Sequence, residues 1–171
     1  MNGLTLPEYL YRFRYRSNDM HYQSWLRMKD ARADDDAYRT WFDVHRAKPG
    51  DIVCQRNEAG TFGYQPLMSI VVPCYKTDKT YLQELIDSVE AQSYGNWELL
   101  LVDASPECGV VANACVEACD SRIVRIPLKE NGGIVVNTNE GIAAAKGDYI
   151  AFLDHDDLLE PDALFRYARA L

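Results

Sequence analysis

Residues 67–105 read LMSIVVPCYKTDKTYLQELIDSVEAQSYGNWELLLVDAS, and this stretch decides the fold class of the chain. LMSIVV and WELLLVD are continuous apolar runs, which is the pattern of strands that are buried on both faces. The first run stops at Pro73, and a turn around Gly95 separates the intervening segment from the second run. That segment, TYLQELIDSVEAQ, is predicted to be a helix that buries Tyr81 or Leu82, Leu85, Ile86 and Val89.

The same alternation continues downstream of residue 105. A helical pattern in CGVVANACVEACD (108–120) leads to a strand in RIVRIPL (122–128). A further helix in GIVVNTNEGIAAAK (133–146) leads to a strand in DYIAFLD (148–154). Strands that alternate with helices form parallel sheets with right-handed crossovers and helices on both faces. The sequence therefore predicts an α/β fold around a mainly parallel sheet.

The region upstream of about residue 60 has a different composition, rich in aromatic residues, Arg and Asp. Helical spacing predicts two or three short helices in LPEYLYRFRY (6–15), MHYQSWLRMKDA (20–31) and DDAYRTWFDVHRA (35–47). Lys48, Pro49 and Gly50 break this pattern, and residues 57–63 are predicted to form a connecting loop. We thus expect a helical extension and linker over residues 1–60 and an α/β domain over residues 61–171.

Composition excludes several classes of protein. With 171 residues and 47% hydrophobic content, the chain is long and apolar enough to bury a core. Lys plus Arg total 18 against 26 Asp plus Glu, a formal charge of -8, which argues against nucleic acid as a partner. The Arg12, Arg14 and Arg16 ladder alternates with aromatic residues and is interpreted as a solvated helix face. No apolar run approaches the ~20 residues of a membrane helix, so no membrane segment is predicted in this chain.

The five cysteines form no CxxC pair and are odd in number, which favours a reducing, cytoplasmic setting. Cys115 and Cys119 lie one helical turn apart. Because no histidine follows at the spacing of a zinc site, we interpret them as small buried side chains.

Polar residues follow each predicted strand, at the edge where parallel sheets bind ligands. These strand ends read PCYK, DAS, KENGG and DHDD. Asp103 could accept hydrogen bonds from a ribose or a base, or it could cap a turn with Ser105. Asn131 and the two glycines after it could bring backbone N–H groups to a ligand, or form a plain turn and helix start. The chain has no GxxxxGK[ST] loop or GxGxxG fingerprint.

The most acidic strand end is YIAFLDHDDL (149–158), where an apolar run stops in three carboxylates around a histidine. Crowded carboxylates repel one another, and a hard divalent cation relieves that repulsion. Magnesium and manganese fit, because they share their ligands between protein carboxylates, water and phosphates. The alternative is an acidic helix start, since residues 160–162 resemble a first turn before ALFRYARAL (163–171). Strand alternation predicts that His155 points away from Asp154 and Asp156 and supports packing.

Two segments together carry a resemblance to a known family. SIVVPCYKTDKTYLQELIDSVEAQSYGNWELLLVDAS (69–105) and ENGGIVVNTNEGIAAAKGDYIAFLDHDDLLEPDAL (130–164) resemble the nucleotide-sugar domain of family 2 glycosyltransferases. These are inverting enzymes of the Rossmann-related GT-A fold. Four separated blocks agree in order and spacing, and the likeness covers about residues 66–171. YQSWL (22–26) is similar to a helical lead-in of polysaccharide-building members.

The resemblance assigns a role to individual residues of this chain. It implies that the nucleotide sugar is bound by Pro73, Tyr75, Asp103, Asn131, Gly133, Asn139 and Asp154. It makes Asp156 the direct ligand of a divalent metal, Mn²⁺ or Mg²⁺, with Asp154 directed toward the ribose or the metal's water shell and Asp157 in support. Thr138 stands where many members carry an arginine, so any contact made by that arginine is absent here or supplied elsewhere.

By this resemblance the chain is the donor-binding part of a metal-assisted, inverting glycosyltransferase. The implied reaction moves a hexose from a nucleotide-diphosphate sugar to a glycan or lipid-linked acceptor during polysaccharide biosynthesis, in the cytoplasm or at the inner face of the membrane. In the family the acceptor half and the general base lie downstream of the acidic motif. We therefore expect a chain truncated before the acceptor half, with its general base beyond Leu171, which is inactive alone.

Two alternatives remain at this point. One is a non-catalytic nucleotide-sugar-binding or assembly module. The other is a sugar-1-phosphate nucleotidyltransferase, which uses similar sheets and metal carboxylates. That class carries a glycine-rich loop after its first strand, and PCYKTDKTYL (73–82) has none.

Overall fold

The computed structural model of the chain describes residues 31–171, with side chains from residue 36 onward. The chain divides into two compact units, one ending at Arg46 and one covering Ala47–Leu171. In the first unit, α1 (Ala31–His45) contains most of the third predicted helix, and Trp41 stacks on His45 with ring centroids 4.6 Å apart. The other two predicted helices, the arginine ladder and YQSWL lie outside the described residues, apart from Ala31.

The second unit begins with a helix, α2 (Pro49–Ala59), where the sequence predicts a break and a loop. Pro49 opens the helix because its missing N–H is not needed in a first turn. The Asp51 carboxylate accepts a hydrogen bond from the Lys48 N–H at 2.8 Å, which closes the helix start. Ala59 is the only buried residue of this helix. A helix that buries one residue needs no apolar stripe, and its sequence has none at helical spacing. The predicted boundary between residues 60 and 61 thus falls inside the second unit.

The sheet contains four parallel strands in the order β3-β2-β1-β4. The strands are β1 (Met68–Cys74), β2 (Trp97–Asp103), β3 (Ile123–Pro127) and β4 (Tyr149–Phe152). The helices that follow them are α3 (Lys79–Glu90), α4 (Val110–Ala118), α5 (Gly133–Ala144) and α6 (Ala163–Ala170). A short 3₁₀ helix, Pro106–Cys108, precedes α4. This arrangement confirms the predicted α/β fold with a parallel sheet.

β1 continues through Pro73, where the sequence predicts its end. The Leu153 N–H donates to the Val71 carbonyl at 3.2 Å, so odd-numbered residues of β1 direct their backbone groups toward β4. β4 ends at Phe152, before it reaches the level of Pro73. The missing N–H of the proline therefore removes no hydrogen bond between strands.

Helices cover both faces of the sheet, as predicted. On one face, Ile70 and Leu99 belong to a fully buried core with α3, α4 and α6. Leu82 is buried there and Tyr81 is exposed, so Leu82 is the first residue of the buried stripe of α3. The other face is covered by α5, where Gly141 lies so close to the sheet that a Cβ would be 2.4 Å from Val71 Cγ1.

Candidate functional site

A cavity of about 310 Å³ lies at the carboxyl ends of β1 and β4, beside the start of α5. Its volume is at the lower end of the range of about 300–1,000 Å³ for small-molecule sites. It is lined by Pro73, Tyr75, Asn131, Gly133, Ile134, Asn137, Asp154, His155 and Asp156. The structure thus brings together most of the predicted site residues, from three separate parts of the sequence.

The acidic end of β4 forms a turn in which the Asp157 N–H donates to the Asp154 carbonyl at 3.0 Å. The carboxylates of Asp154, Asp156 and Asp157 are exposed. Within residues 36–171, none of these three carboxylates accepts a hydrogen bond. Asp156 Oδ1 has His155 Nδ1 at 3.6 Å, which is longer than a hydrogen bond. The oxygens of this turn are therefore available to a ligand.

His155 lines the cavity together with Asp154 and Asp156, so the expectation that it points away from them is wrong. Alternation of side chains holds only inside a strand, and β4 ends at Phe152, before the histidine. His155 Nδ1 is buried, and no hydrogen-bond partner for it lies among the residues that the structure describes. The histidine belongs to the site rather than to the packing behind it.

The alternative of an acidic helix start applies to Asp162 and not to Asp154, Asp156 or Asp157. α6 begins at Ala163, and Asp162 immediately precedes it. The Asp162 carboxylate accepts hydrogen bonds from Arg166 Nε at 2.6 Å and Gln55 Nε2 at 3.4 Å. Residues 154–157 lie before this helix, so its dipole does not account for their charge.

The start of α5 is a closed hydrogen-bonded turn. Asn131 Oδ1 accepts hydrogen bonds from the Gly133 N–H and from Asn137 Nδ2, both at 2.9 Å. Asn137 Oδ1 accepts from the Gly132 N–H at 3.1 Å. Gly133 has a φ of 83°, which favours glycine. The segment is a helix start, as one interpretation predicts, and both glycine N–H groups are used within the turn. It also lines the cavity, but its predicted contact with a ligand stays a prediction.

Sequence reasoning missed Asn137 and selected Asn139 instead. Asn137 is buried and lines the cavity, whereas Asn139 is exposed and does not line it. Asn137 lies four residues before Gly141, on the helix side that faces the sheet, and that side becomes known only from the packing of α5. Asn139 is two residues further on, which turns it toward the opposite side. Its predicted contact with the nucleotide stays a prediction.

Asp103, at the end of β2, lies apart from the residues that line the cavity. Its side chain is 1% exposed, and its Oδ2 accepts a hydrogen bond from Arg125 Nε at 2.8 Å and lies 2.8 Å from Arg125 Nη2 in the same ion pair. Its Oδ1 accepts the Ser105 N–H at 3.1 Å, which is the predicted turn cap. Both oxygens are therefore occupied within the protein. The predicted contact of Asp103 with a nucleotide is not tested by this arrangement and stays a prediction.

The cysteines are all free thiols. Cys74, beside Asp103 in the sheet register, is buried, and this burial raises its pKa to about 12. The prediction for the Cys115 and Cys119 pair is wrong for Cys119, which is exposed because it follows the end of α4 and has a left-handed backbone. None of the described helices is both long and apolar enough to cross a membrane.

A hard divalent metal needs oxygen ligands, and the cavity offers the carboxylates of Asp154 and Asp156. Within the described part of the chain, no three His, Cys, Asp or Glu side chains are arranged to hold a metal ion by themselves. Asp154 and Asp156 offer unpaired, exposed carboxylate oxygens at the cavity. Such a donor set suits Mg²⁺ or Mn²⁺, which take one or two protein carboxylates and complete their shell with water and phosphate oxygens. The residues present therefore fit a cation that arrives together with a phosphate ligand.

The family model described as Glycosyl transferase family 2 matches residues 69–171. This match covers more than half of the chain and includes all the residues that line the cavity. The chain belongs to glycosyl transferase family 2. The resemblance found in the sequence is thereby confirmed.

Relatives of this family 2 chain are mostly much longer proteins. An uncharacterized protein, y4gI of Sinorhizobium fredii, is 48% identical over 103 residues, which is 58% of this chain and 11% of that protein. The O-antigen biosynthesis protein RfbC of Myxococcus xanthus is 34% identical over 125 residues, covering 72% and 10%. The putative teichuronic acid biosynthesis glycosyltransferase TuaG of Bacillus subtilis is 34% identical over 105 residues, covering 59% and 40%. The chain thus spans between a tenth and two fifths of these proteins.

Two solved structures resemble the family 2 fold described above. S. aureus TarS 1-349 in complex with UDP superposes with a TM-score of 0.52 at 22% identity, covering 60% of this chain and 31% of that one. The mannosyltransferase PcManGT of Pyrobaculum calidifontis, in complex with GDP-Man and Mn²⁺, superposes with a TM-score of 0.50 at 19% identity, covering 64% and 36%. At these identities the likeness establishes the fold, and it confirms the predicted GT-A architecture.

Proposed function

We propose that this family 2 domain binds a nucleotide-diphosphate sugar and forms the donor side of a metal-assisted, inverting glycosyltransferase. The observation that carries the proposal is the cavity that Asp154 and Asp156 line together with Tyr75 and the start of α5, with carboxylates that accept no hydrogen bond from residues 36–171. Ligands of parallel α/β sheets bind at this edge. The acceptor of the full-length protein is proposed to be a saccharide or a lipid-linked glycan.

Each side of the cavity has its own part in this proposal. Asp156 and Asp154 would hold Mn²⁺ or Mg²⁺, with Asp157 in support. A bound cation would offset the negative charge that develops on the departing diphosphate. Pro73 and Tyr75 give an apolar wall against which a base or a sugar ring packs. Asn137, fixed by Asn131 and Gly132, holds the opposite wall in place.

The relatives support the donor class and the type of product. TarS is in complex with UDP, and PcManGT is in complex with GDP-Man and Mn²⁺. RfbC is an O-antigen biosynthesis protein and TuaG a putative teichuronic acid biosynthesis glycosyltransferase, which favours polysaccharide biosynthesis for this chain too. The five free thiols agree with a cytoplasmic location, where we place the reaction, at or near the inner face of the membrane.

The general base that activates the acceptor is not part of this proposal for residues 1–171. Among the residues that the structure describes, the carboxylates that line the cavity are those of Asp154 and Asp156, and both are assigned to the metal. A base must reach the acceptor hydroxyl on the face of the sugar opposite the leaving group. We therefore propose that the base is a residue outside this cavity and that residues 1–171 bind a donor without transferring its sugar.

Calorimetric titration of residues 1–171 with UDP-, GDP- and dTDP-sugars, with and without Mn²⁺, tests the proposal. We expect one nucleotide class to bind, with an affinity that rises at least about tenfold when Mn²⁺ is present. A folded sample that binds none of these donors would contradict it. Sugar transfer by residues 1–171 alone would overturn the assignment of the base. Pyrophosphate exchange into the donor would point to a nucleotidyltransferase instead.

A further inference from the structure

Lys76 has an unusual backbone directly beside the cavity. It follows Tyr75 after the end of β1, and its φ is 50°, in the left-handed region. Among residues whose structure is described, only Lys76 and Cys119 combine a side chain with a positive φ. L-residues with a side chain are disfavoured there, and such strain persists only where the surrounding structure holds it, often at functional sites.

A chain of hydrogen bonds from the neighbouring strands holds Lys76 in this conformation. Its backbone N–H donates to Ser105 Oγ at 2.9 Å. Ser105 is buried, and its own N–H donates to Asp103 Oδ1 at 3.1 Å. Asp103 is in turn fixed by Arg125. The turn after β1 is thus anchored to the ends of β2 and β3, and the direction in which Lys76 leaves it is set.

The Lys76 side chain lies at the aromatic wall of the cavity. Its Nζ is 5.3 Å from the centroid of the Tyr75 ring, within the range of a cation–π contact. Tyr75 lines the cavity, and the Lys76 side chain is exposed. No carboxylate within residues 36–171 lies at ion-pair distance from this ammonium. The group therefore remains available to an anion.

The cavity is acidic, so a diphosphate bound there needs a cationic group of the protein nearby. Asp154 and Asp156 contribute two negative charges, and no lysine or arginine of residues 36–171 is among those that line the cavity. A divalent cation bound there would only offset these two carboxylates. The diphosphate of a nucleotide sugar adds about two further negative charges, which need a positive partner from the protein.

We propose that Lys76 binds the diphosphate of the donor through its ammonium group, as a contact separate from the metal. This inference rests on the proposed function and extends it, because it adds Lys76 to the metal as a second group that distinguishes a nucleoside diphosphate from a nucleoside. The Tyr75 ring and the strained turn hold the ammonium at the rim of the cavity. Charge-assisted hydrogen bonds to phosphate oxygens are the contacts that it would form.

The test compares UDP with uridine, and GDP with guanosine, by calorimetry on residues 1–171 carrying Lys76→Asn. Asparagine removes the ammonium but tolerates the left-handed backbone, so the variant is expected to fold at least as well as the parent. We expect the affinity for UDP or GDP, whichever the parent protein binds, to fall about tenfold in the variant. The affinity for the matching nucleoside should change less than about threefold. The loss should persist in EDTA, where no metal contributes, and Lys76→Arg should retain most of the affinity.

Lys79→Asn is the matched control. It removes the same charge a few residues away, but Lys79 already pairs with Glu117 at 2.9 Å. Diphosphate affinity should be unchanged in this variant. Unchanged diphosphate affinity in Lys76→Asn, or equal losses for diphosphate and nucleoside, would overturn the role of Lys76 while leaving the proposed function intact. A parent protein that binds no nucleotide would instead overturn the proposed function.

Discussion

Asp103 is the last residue of β2, Asp156 follows the end of β4, and the two carboxylates have opposite surroundings. Asp103 is 1% exposed and accepts hydrogen bonds from Arg125 and from the Ser105 backbone. Asp156, after β4, is 59% exposed and accepts none from the described residues. β2 is an inner strand with β3 beside it, whereas β4 stands at the end of the strand order. An acidic strand end can thus serve as an anchor or as a ligand, depending on the strand that lies beside it.

This difference assigns separate tasks to the two ends. The closed end of β2 stabilises the fold and holds the turn that carries Lys76. The open end of β4 is where we propose that a cation binds, because a carboxylate that accepts no hydrogen bond from the described residues gains most from one. Variants at the two ends should therefore separate stability from binding.

The largest effect is expected from Asp103→Asn. This change leaves Arg125 without its partner, and breaking a buried ion pair costs about 3–5 kcal/mol of unfolding free energy. Arg125 is 28% exposed, so a value near the lower limit is expected. Urea unfolding measures the loss. The control is Asp154→Asn at the open end, which should change stability by less than about 0.5 kcal/mol. Equal losses in the two variants would remove the contrast between the ends.

The next effect is expected from Gly141→Ala, which disturbs the helix that carries one wall of the open end. The new Cβ would lie 2.4 Å from Val71 Cγ1 and 2.8 Å from Val102 Cγ2. Overpacking of this kind costs about 1–3 kcal/mol, and the shift of α5 should also weaken nucleotide binding. Gly50→Ala, in α2, is the control because open space surrounds its Cβ position. A Gly141→Ala protein with the parent's stability would show that α5 packs less tightly than described.

A binding effect without a stability effect is expected from Asp156→Asn. The affinity for UDP or GDP in Mn²⁺ should fall at least about tenfold, to the value that the parent protein has in EDTA. Because the side chain has no hydrogen-bond partner among the described residues, the unfolding free energy should change by less than about 0.5 kcal/mol. Calorimetry and urea unfolding on the same preparation check both parts. Retained Mn²⁺ dependence in this variant would place the metal elsewhere.

The smallest effect concerns the thiol beside the closed end. Burial raises the pKa of Cys74 to about 12, so its reactive thiolate is scarce until the pH approaches that value. Alkylation followed by mass spectrometry should label the exposed Cys54 and Cys108 at pH 8 and leave Cys74 unlabelled. Asp103→Asn should speed the labelling of Cys74 because the closed end opens more often. Rapid labelling of Cys74 in the parent protein would show that this end is not closed.

Much of the fold follows from local patterns in the sequence. β2 has the predicted bounds, Trp97–Asp103, because every residue in the run is buried and the run ends in a charge. The buried face of α3 follows from its helical period. α2 escaped prediction because it buries little and so has no apolar stripe. The order of the strands then brings their polar ends to one edge, which is why Tyr75, Asn131 and Asp154 meet in the cavity.

The remaining features of the site depend on contacts between distant segments. No spacing in the sequence connects Arg125 with Asp103, because that pair forms only when β3 lies beside β2. The position of His155 depends on where β4 ends, a matter of one or two residues. Predicting Asn137 requires knowing which side of α5 faces the sheet, and only the packing shows this. Local patterns thus predict which strand ends meet, and the packing decides which side chains remain unpaired there.

Paramagnetic broadening by Mn²⁺ tests most directly whether the open end of β4 is the metal and nucleotide site. In ¹H–¹⁵N spectra of residues 1–171 with UDP or GDP present, small additions of Mn²⁺ should broaden amide signals of residues 154–157 and 131–137 first. Signals of Leu99 and Ile123, toward the other end of the sheet, should stay sharp at the same concentration. Broadening centred elsewhere, or the same pattern in Asp156→Asn, would contradict this account of the site.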